Sequence, residues 1–107
     1  MSISVRENPD QSRYEIYDGE TLAGFSEYKL TGERIAFIHT EVAPAFGGRG
    51  LAKRLVAEEL DEARRRGLAV LPFCPFVRSF IAKNVDAYLD LVPEKERDRF
   101  GLVSSPN

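Results

Sequence analysis

Residues 43–52 read Ala-Pro-Ala-Phe-Gly-Gly-Arg-Gly-Leu-Ala, with glycines at 47, 48 and 50. Glycine costs backbone entropy, so such a cluster marks a backbone shape that other residues resist. Ahead of it lies a β-rich run, Arg34–Val42. Behind it the apolar period turns helical: Leu51, Leu55, Val56, Leu60 and Ala63 share one face, with Lys53, Arg54, Glu58, Asp61 and Arg65 on the other. Arg64, Arg65 and Arg66 fall in the last turn, where cations suit the helix dipole, and Gly67 is a natural stop. Residues 68–73 then form a short apolar run suited to a buried strand. Strand, glycine turn, helix and strand make a βαβ unit, which is normally parallel and right-handed.

Outward from this unit, residues 3–5, 13–17, 22–30 and 34–42 read as strands. Turn signals at 8–12, Asp18-Gly19 and Thr31-Gly32 separate them. Short strands joined this way predict an antiparallel meander. Pro72 and Pro75 cannot donate to a sheet ladder, so the last strand should lie at an edge or splay from its neighbour. Helices are expected over 76–83 and 85–92, a further helical turn over 94–100, and a frayed tail over 104–107. The expected fold class is α/β (α+β): a mostly antiparallel sheet around a central βαβ core, in one domain spanning residues 1–107.

Composition excludes several functions. The 15 basic and 17 acidic residues give a net charge of −2, which argues against a nucleic-acid footprint. Cys74 is the single cysteine, so no internal disulfide forms, and with the single histidine, His39, it cannot make a zinc site. No apolar run approaches the roughly 20 residues of a membrane span. A cytoplasmic protein with neither nucleic-acid nor membrane partners is expected.

A helix N-terminus offers unpaired N–H groups and partial positive charge, which attract phosphate. No Ser, Thr, Asp or Asn stands at this turn to cap the helix. The turn nonetheless fails both common phosphate patterns. Gly50 is followed by Leu51 rather than Lys-Ser/Thr, and Gly48-Arg49-Gly50 supplies only half of G-x-G-x-x-G. On its own it supports a plain turn as readily as a ligand cradle.

Its surroundings decide between these. The run Glu41-Val-Ala-Pro-Ala-Phe-Gly-Gly-Arg-Gly-Leu-Ala-Lys-Arg-Leu55, followed by Glu62-Ala-Arg-Arg-Arg-Gly-Leu68, resembles the acetyl-coenzyme A motif of the GNAT superfamily of N-acetyltransferases. Together with His39-Thr40-Glu41-Val42, Leu71-Pro72-Phe73-Cys74-Pro75-Phe76-Val77 and Ala87-Tyr88-Leu89-Asp90-Leu91-Val92-Pro93, it is similar to the minimal single-domain members, over about residues 14–93. The chain departs from the motif at Gly47, where the family prefers Arg or Gln.

The resemblance implies an acetyl-coenzyme A (coenzyme A) site. Its pyrophosphate cradle would run over Gly47, Gly48, Arg49, Gly50, Leu51, Ala52 and Lys53, and its pantetheine arm along Thr40, Glu41 and Val42. Asn84 would be a further coenzyme contact, with a helix-ending role as its alternative. Cys74 would sit near the acyl carbon, either as nucleophile or as a small buried residue shaping the pocket. His39 is a candidate general base, and facing Cys74 it would favour the thiolate. Glu41 is a second candidate base, and Tyr88 a candidate acid or a core residue. The implied activity is acetyl transfer to an amine, small molecule or protein, that the sequence does not name. The alternative is a coenzyme A-binding or protein-interaction module without turnover.

Overall fold

The structure, a computed structural model, describes residues 2–102, so the tail expected to fray lies outside the described residues. Five strands form one sheet in sequence order: β1 (Ile3–Asn8), β2 (Arg13–Asp18), β3 (Thr21–Thr31), β4 (Arg34–Val42) and β5 (Ala69–Pro72). β1 to β4 are antiparallel neighbours, and β5 pairs parallel to β4. The connection between these last two carries α1 (Leu51–Arg65), so the meander and the βαβ unit are both present. The fold is the α+β architecture expected.

α1 lies on one face of the sheet because its stripe of Leu51, Leu55, Val56, Leu60 and Ala63 is buried there. Opposite it stand Tyr14 and Ile16 of β2, Tyr28 of β3, and Ile35 and Phe37 of β4. Gly67 takes φ 69°, a left-handed value that lets the chain leave the helix and enter β5. The Arg64–Arg66 run is not a bare cationic patch. Arg64 grips Asp90 and the Ala87 carbonyl, Arg65 pairs with Glu62, and Arg66 reaches Glu7 and the Tyr14 hydroxyl.

The remaining chain folds as α2 (Pro75–Ala82), α3 (Val85–Tyr88) and three short 3-10 turns. The expected helix over 85–92 divides into α3 and a 3-10 turn, and the stretch 94–100 is two separate 3-10 turns. These pieces are too short to persist alone. Burial of Leu89, Leu91, Val92, Phe100 and Leu102 anchors them, and Phe100 sets its ring edge-on against Phe73 at 5.1 Å.

Two irregularities in the ladders matter for the site. Between β3 and β4 the register jumps from Glu27↔His39 to Tyr28↔Phe37, leaving Ile38 as an extra, bulged residue on β4. A one-residue bulge reverses which side chains face the core. Ile35 and Phe37 point to α1 before it, and Thr40 and Val42 share that face after it. Further along, β3 and β4 approach closely at Gly24, where a Cβ would stand 2.5 Å from the Glu41 carbonyl oxygen and 3.1 Å from Val42 Cα. Gly24→Ala should therefore force these strands apart and cost about 1–3 kcal/mol, as overpacked interiors do. Urea denaturation measures it, and unchanged stability would show that the approach is not as tight as described.

Candidate active site

The β4–β5 ladder is only four residues long, Arg34↔Ala69 to Phe37↔Pro72. Pro72 is its last residue, and the next N–H on the β4 side, that of Phe73, turns back to the Leu71 carbonyl at 3.0 Å instead of crossing to β4. One last tie follows: the Cys74 N–H donates to the Phe37 carbonyl at 2.8 Å. The chain then turns away into α2, with Pro75 at the first helical position, where a missing N–H costs nothing. The edge of β4 from Ile38 to Val42 thus has no strand beside it on this side. The splay expected from the two prolines is present.

The glycine turn stands at the far end of this open edge. Gly48 and Gly50 have φ of 79° and 73°, and a Cβ on either would meet nothing within 4 Å. Both are glycines for conformation, with open space above them. Gly47 is different: φ −64° and ψ 151° are ordinary extended values that any residue adopts. Gly50 is the N-cap of α1 and supplies no side-chain cap. Helix geometry then leaves the N–H groups of Leu51, Ala52 and Lys53 without intrahelical acceptors. They border a cleft of about 230 Å³ whose apolar wall is Val42, Phe46, Leu51 and Phe76. Uncapped donors beside an apolar trough suit a ligand with an anionic end and an extended arm. Arg49 lies over the Phe46 ring and reaches Asp18 at 3.1 Å, which ties the turn to the end of β2.

Behind the edge is a buried polar chain. Cys74 is 3% exposed, and its thiol donates to Thr40 Oγ1 at 3.4 Å. Thr40 Oγ1 lies 3.3 Å from Ser26 Oγ, its partner directly across the β3–β4 ladder. Ser26 Oγ in turn donates to Glu59 Oε2 at 3.0 Å. Glu59 is wholly buried in the middle of α1, and its Oε1 has no hydrogen-bond partner. Burial raises its pKa well above the ordinary 4.5, the Ser26 hydrogen bond opposes this, and the nearby Cys74 adds to the rise. Sequence reading misses Glu59 and Ser26. The signal was present: residue 59 falls inside the stripe 55, 56, 60, 63, where a carboxylate is out of place.

The other candidate residues go elsewhere. His39 and Glu41 share the face opposite α1, where His39 Nε2 sits 3.1 Å from Glu41 Oε1 and the imidazole packs beside the Phe25 ring. The expected pairing of His39 with Cys74 is not formed, because the bulge at Ile38 turns His39 outward and brings Thr40 in. Asn84 donates from its side chain to the Phe80 carbonyl at 2.8 Å, closing the end of α2. The Tyr88 hydroxyl donates to Asp61 on α1 and its ring packs on Phe80. Among the described residues no group of His, Cys, Asp and Glu could hold a metal, and no helix is long and apolar enough to cross a membrane.

Comparison with known proteins matches this geometry to a family. A family model described as GCN5-related N-acetyltransferase matches residues 13–91, from the start of β2 to the 3-10 turn after α3. Protein NATD1 of Bos taurus is 36% identical over 58 residues, 53% of this chain and 51% of that one, so the match spans about half the length of this curated relative. The solution structure of a GCN5-like protein from Staphylococcus aureus superposes with a TM-score of 0.64 at 23% identity, covering 84% of this chain and 87% of that one. At that identity it is the fold that is shared.

Glu59 also has a consequence for stability. A carboxyl whose folded pKa lies above its unfolded value binds more protons folded than unfolded, so stability is present at low pH and falls as pH rises above 4.5 toward the folded value. Glu59→Gln removes that ionisation. The variant should be the more stable protein at about pH 8, with the difference closing toward about pH 5. Urea midpoints at the two pH values measure it, and a gap independent of pH would contradict the assignment.

Proposed function

The chain belongs to the GCN5-related N-acetyltransferase family, and we propose that it transfers the acetyl group of acetyl-coenzyme A to an amine, with Cys74 beside the reacting thioester. The observation that carries this reading is the end of β4–β5 pairing at Phe37↔Pro72, which opens a strand edge between the glycine turn and Cys74. The bound coenzyme supplies an acetyl group already activated as a thioester.

The chain's own residues supply the rest. The N–H groups at the start of α1, with Gly48 and Gly50 clearing side chains from above them, are the place for pyrophosphate oxygens. Lys53, one turn into α1 at the cleft, adds a cation to the same region. The edge at Thr40, Glu41 and Val42 offers backbone groups to an amide-bearing arm, as it would to an added strand. Val42, Phe46, Leu51 and Phe76 exclude water from the arm's flank. Cys74, at the head of α2 and hydrogen-bonded to Thr40, is the nucleophile or the wall of the acyl pocket. On the face opposite α1, exposed His39 and Glu41 form a pair of candidate bases open to an incoming amine.

One observation favours a second reading, a coenzyme A-binding module without turnover: Gly47 gives the turn no side chain where the family prefers Arg or Gln. Extended backbone at Gly47 and a nearest neighbour 3.4 Å from its would-be Cβ mean that a side chain fits there.

Calorimetry with coenzyme A is the deciding experiment. Binding is expected in the native chain, strengthened about threefold or more by Gly47→Arg in low salt, since an added cation near phosphate is screened by ions. Gly50→Val should weaken binding at least about tenfold, because a β-branched residue resists positive φ. No heat at about millimolar ligand in any of the three would remove the coenzyme reading, millimolar being the weakest binding of interest. Cys74→Ala should keep coenzyme affinity and lower acetyl transfer at least about a hundredfold if the thiol reacts. Unchanged turnover would make Cys74 a wall.

A further inference from the structure

A carboxyl group in the middle of an amphipathic helix's buried stripe, joined to a thiol by two hydroxyls, calls for an account beyond packing. Burial leaves one oxygen of Glu59 without any partner, which is costly for an acceptor in an apolar core. The four groups come from four separate elements: Glu59 from α1, Ser26 from β3, Thr40 from β4 and Cys74 from the head of α2. Hydroxyl hydrogens rotate, so the same heavy-atom positions serve two opposite arrangements. With Glu59 ionised, the thiol donates to Thr40, Thr40 to Ser26, and Ser26 to the carboxylate. With Glu59 protonated, the acid donates to Ser26, Ser26 to Thr40, and Thr40 to the sulfur.

We propose that Glu59 is a positioning residue for Cys74, whose protonated form orients the Ser26 and Thr40 hydroxyls so that Thr40 donates to the sulfur as an anion. The proposal goes a step beyond the reading of the cleft as an acetyl-donor site, and rests on it only for the identity of the natural electrophile. The reactive state is Glu59 neutral with Cys74 as thiolate, the proton of the S–H bond having gone to solvent. The thiolate then forms a bond to carbon and displaces the leaving group. Ionising Glu59 reverses the chain, ties up the sulfur as a donor, and sets a second negative charge in the same dry region. The carboxyl and the thiol are thus coupled so that both do not carry charge together.

From β3 and β4 the groups facing Glu59 are hydroxyls, and from α2 the thiol. On α1 itself the neighbours one turn away are the apolar Leu55, Val56 and Ala63 and the carboxylate of Glu62, which pairs with Arg65. Tyr14 of β2 and Tyr28 of β3 share the core face, but their hydroxyls are bonded to Arg66 and Glu7. Burial favours the neutral carboxyl that the proposal requires.

Alkylation of Cys74 by iodoacetamide tests this without any coenzyme. The new C–S bond forms as the C–I bond breaks and iodide leaves. Thr40→Val, which cuts the chain, and Glu59→Leu, which removes the donor, should each slow alkylation at least about tenfold at about pH 7, where thiolate supply limits the rate. Glu59→Gln retains a donor and cannot ionise. It should restore the rate lost in Glu59→Leu. Native-like rates at about pH 7 in Thr40→Val and Glu59→Leu would overturn the proposal. So would a Gln variant as slow as the Leu variant, which would mean that the carboxylate itself is needed. If Glu59→Leu does not fold by circular dichroism, Thr40→Val and Glu59→Gln decide alone. A chain that shows this pattern but binds no coenzyme A would uphold the relay and refute the acetyl-donor reading.

Discussion

Pro72 is the last residue of the ladder between β4 and β5, which stops after four pairs because the next N–H, that of Phe73, turns back to the Leu71 carbonyl. Most of the site depends on that turned-back N–H. Further pairs would carry β5 alongside Ile38 to Val42 and close the edge. Instead the chain makes one more tie, Cys74 N–H to the Phe37 carbonyl, and enters α2 through a second proline. The thiol is thereby fixed where the two strands part. The N-terminus of α1, reached from the other end of the same open edge, is fixed by the length of β4 and the turn that follows.

The bulge at Ile38 is the second constraint, and it acts at the level where the ladder ends. By inserting one residue it divides β4 into a half that builds the core through Ile35 and Phe37 and a half that builds the site through Thr40 and Val42. It also separates the chemistry into two faces. The thiol and its hydroxyl chain lie under α1. The imidazole and carboxylate of His39 and Glu41 lie with Phe25 and Arg13 on the face opposite α1.

Much of this was legible in the residues. Periodicity gave α1 and its buried stripe, turn signals gave the meander, and two prolines gave the splay. The quoted motifs gave the family, because they carry the glycine turn and the Cys-Pro-Phe segment in order. What was not legible depended on register. Simple alternation along Ile35, Phe37, His39 puts the imidazole inward beside Cys74, and nothing in Arg34–Val42 announces the extra residue. Backbone conformation was likewise hidden: Gly47 reads as one of three equivalent glycines, yet only Gly48 and Gly50 take positive φ. Glu59 was overlooked for another reason. A charged residue is read as marking the wet side of a helix, whereas burial here pushes its pKa well above the ordinary carboxylate range.

The open edge of β4 has one more side to it. A row of unpaired backbone groups does not distinguish an extended ligand from the strand of another molecule, so it is also a point of self-association. Here it is kept to five residues, with charged Glu41 near its end, a bulge that twists its start and Pro44 just past it. Each of these blunts pairing with a flat, regular strand while leaving room for a narrow, flexible arm. A ligand lying there would therefore serve the fold as well as the chemistry, by filling the place of the strand that turns away after Pro72.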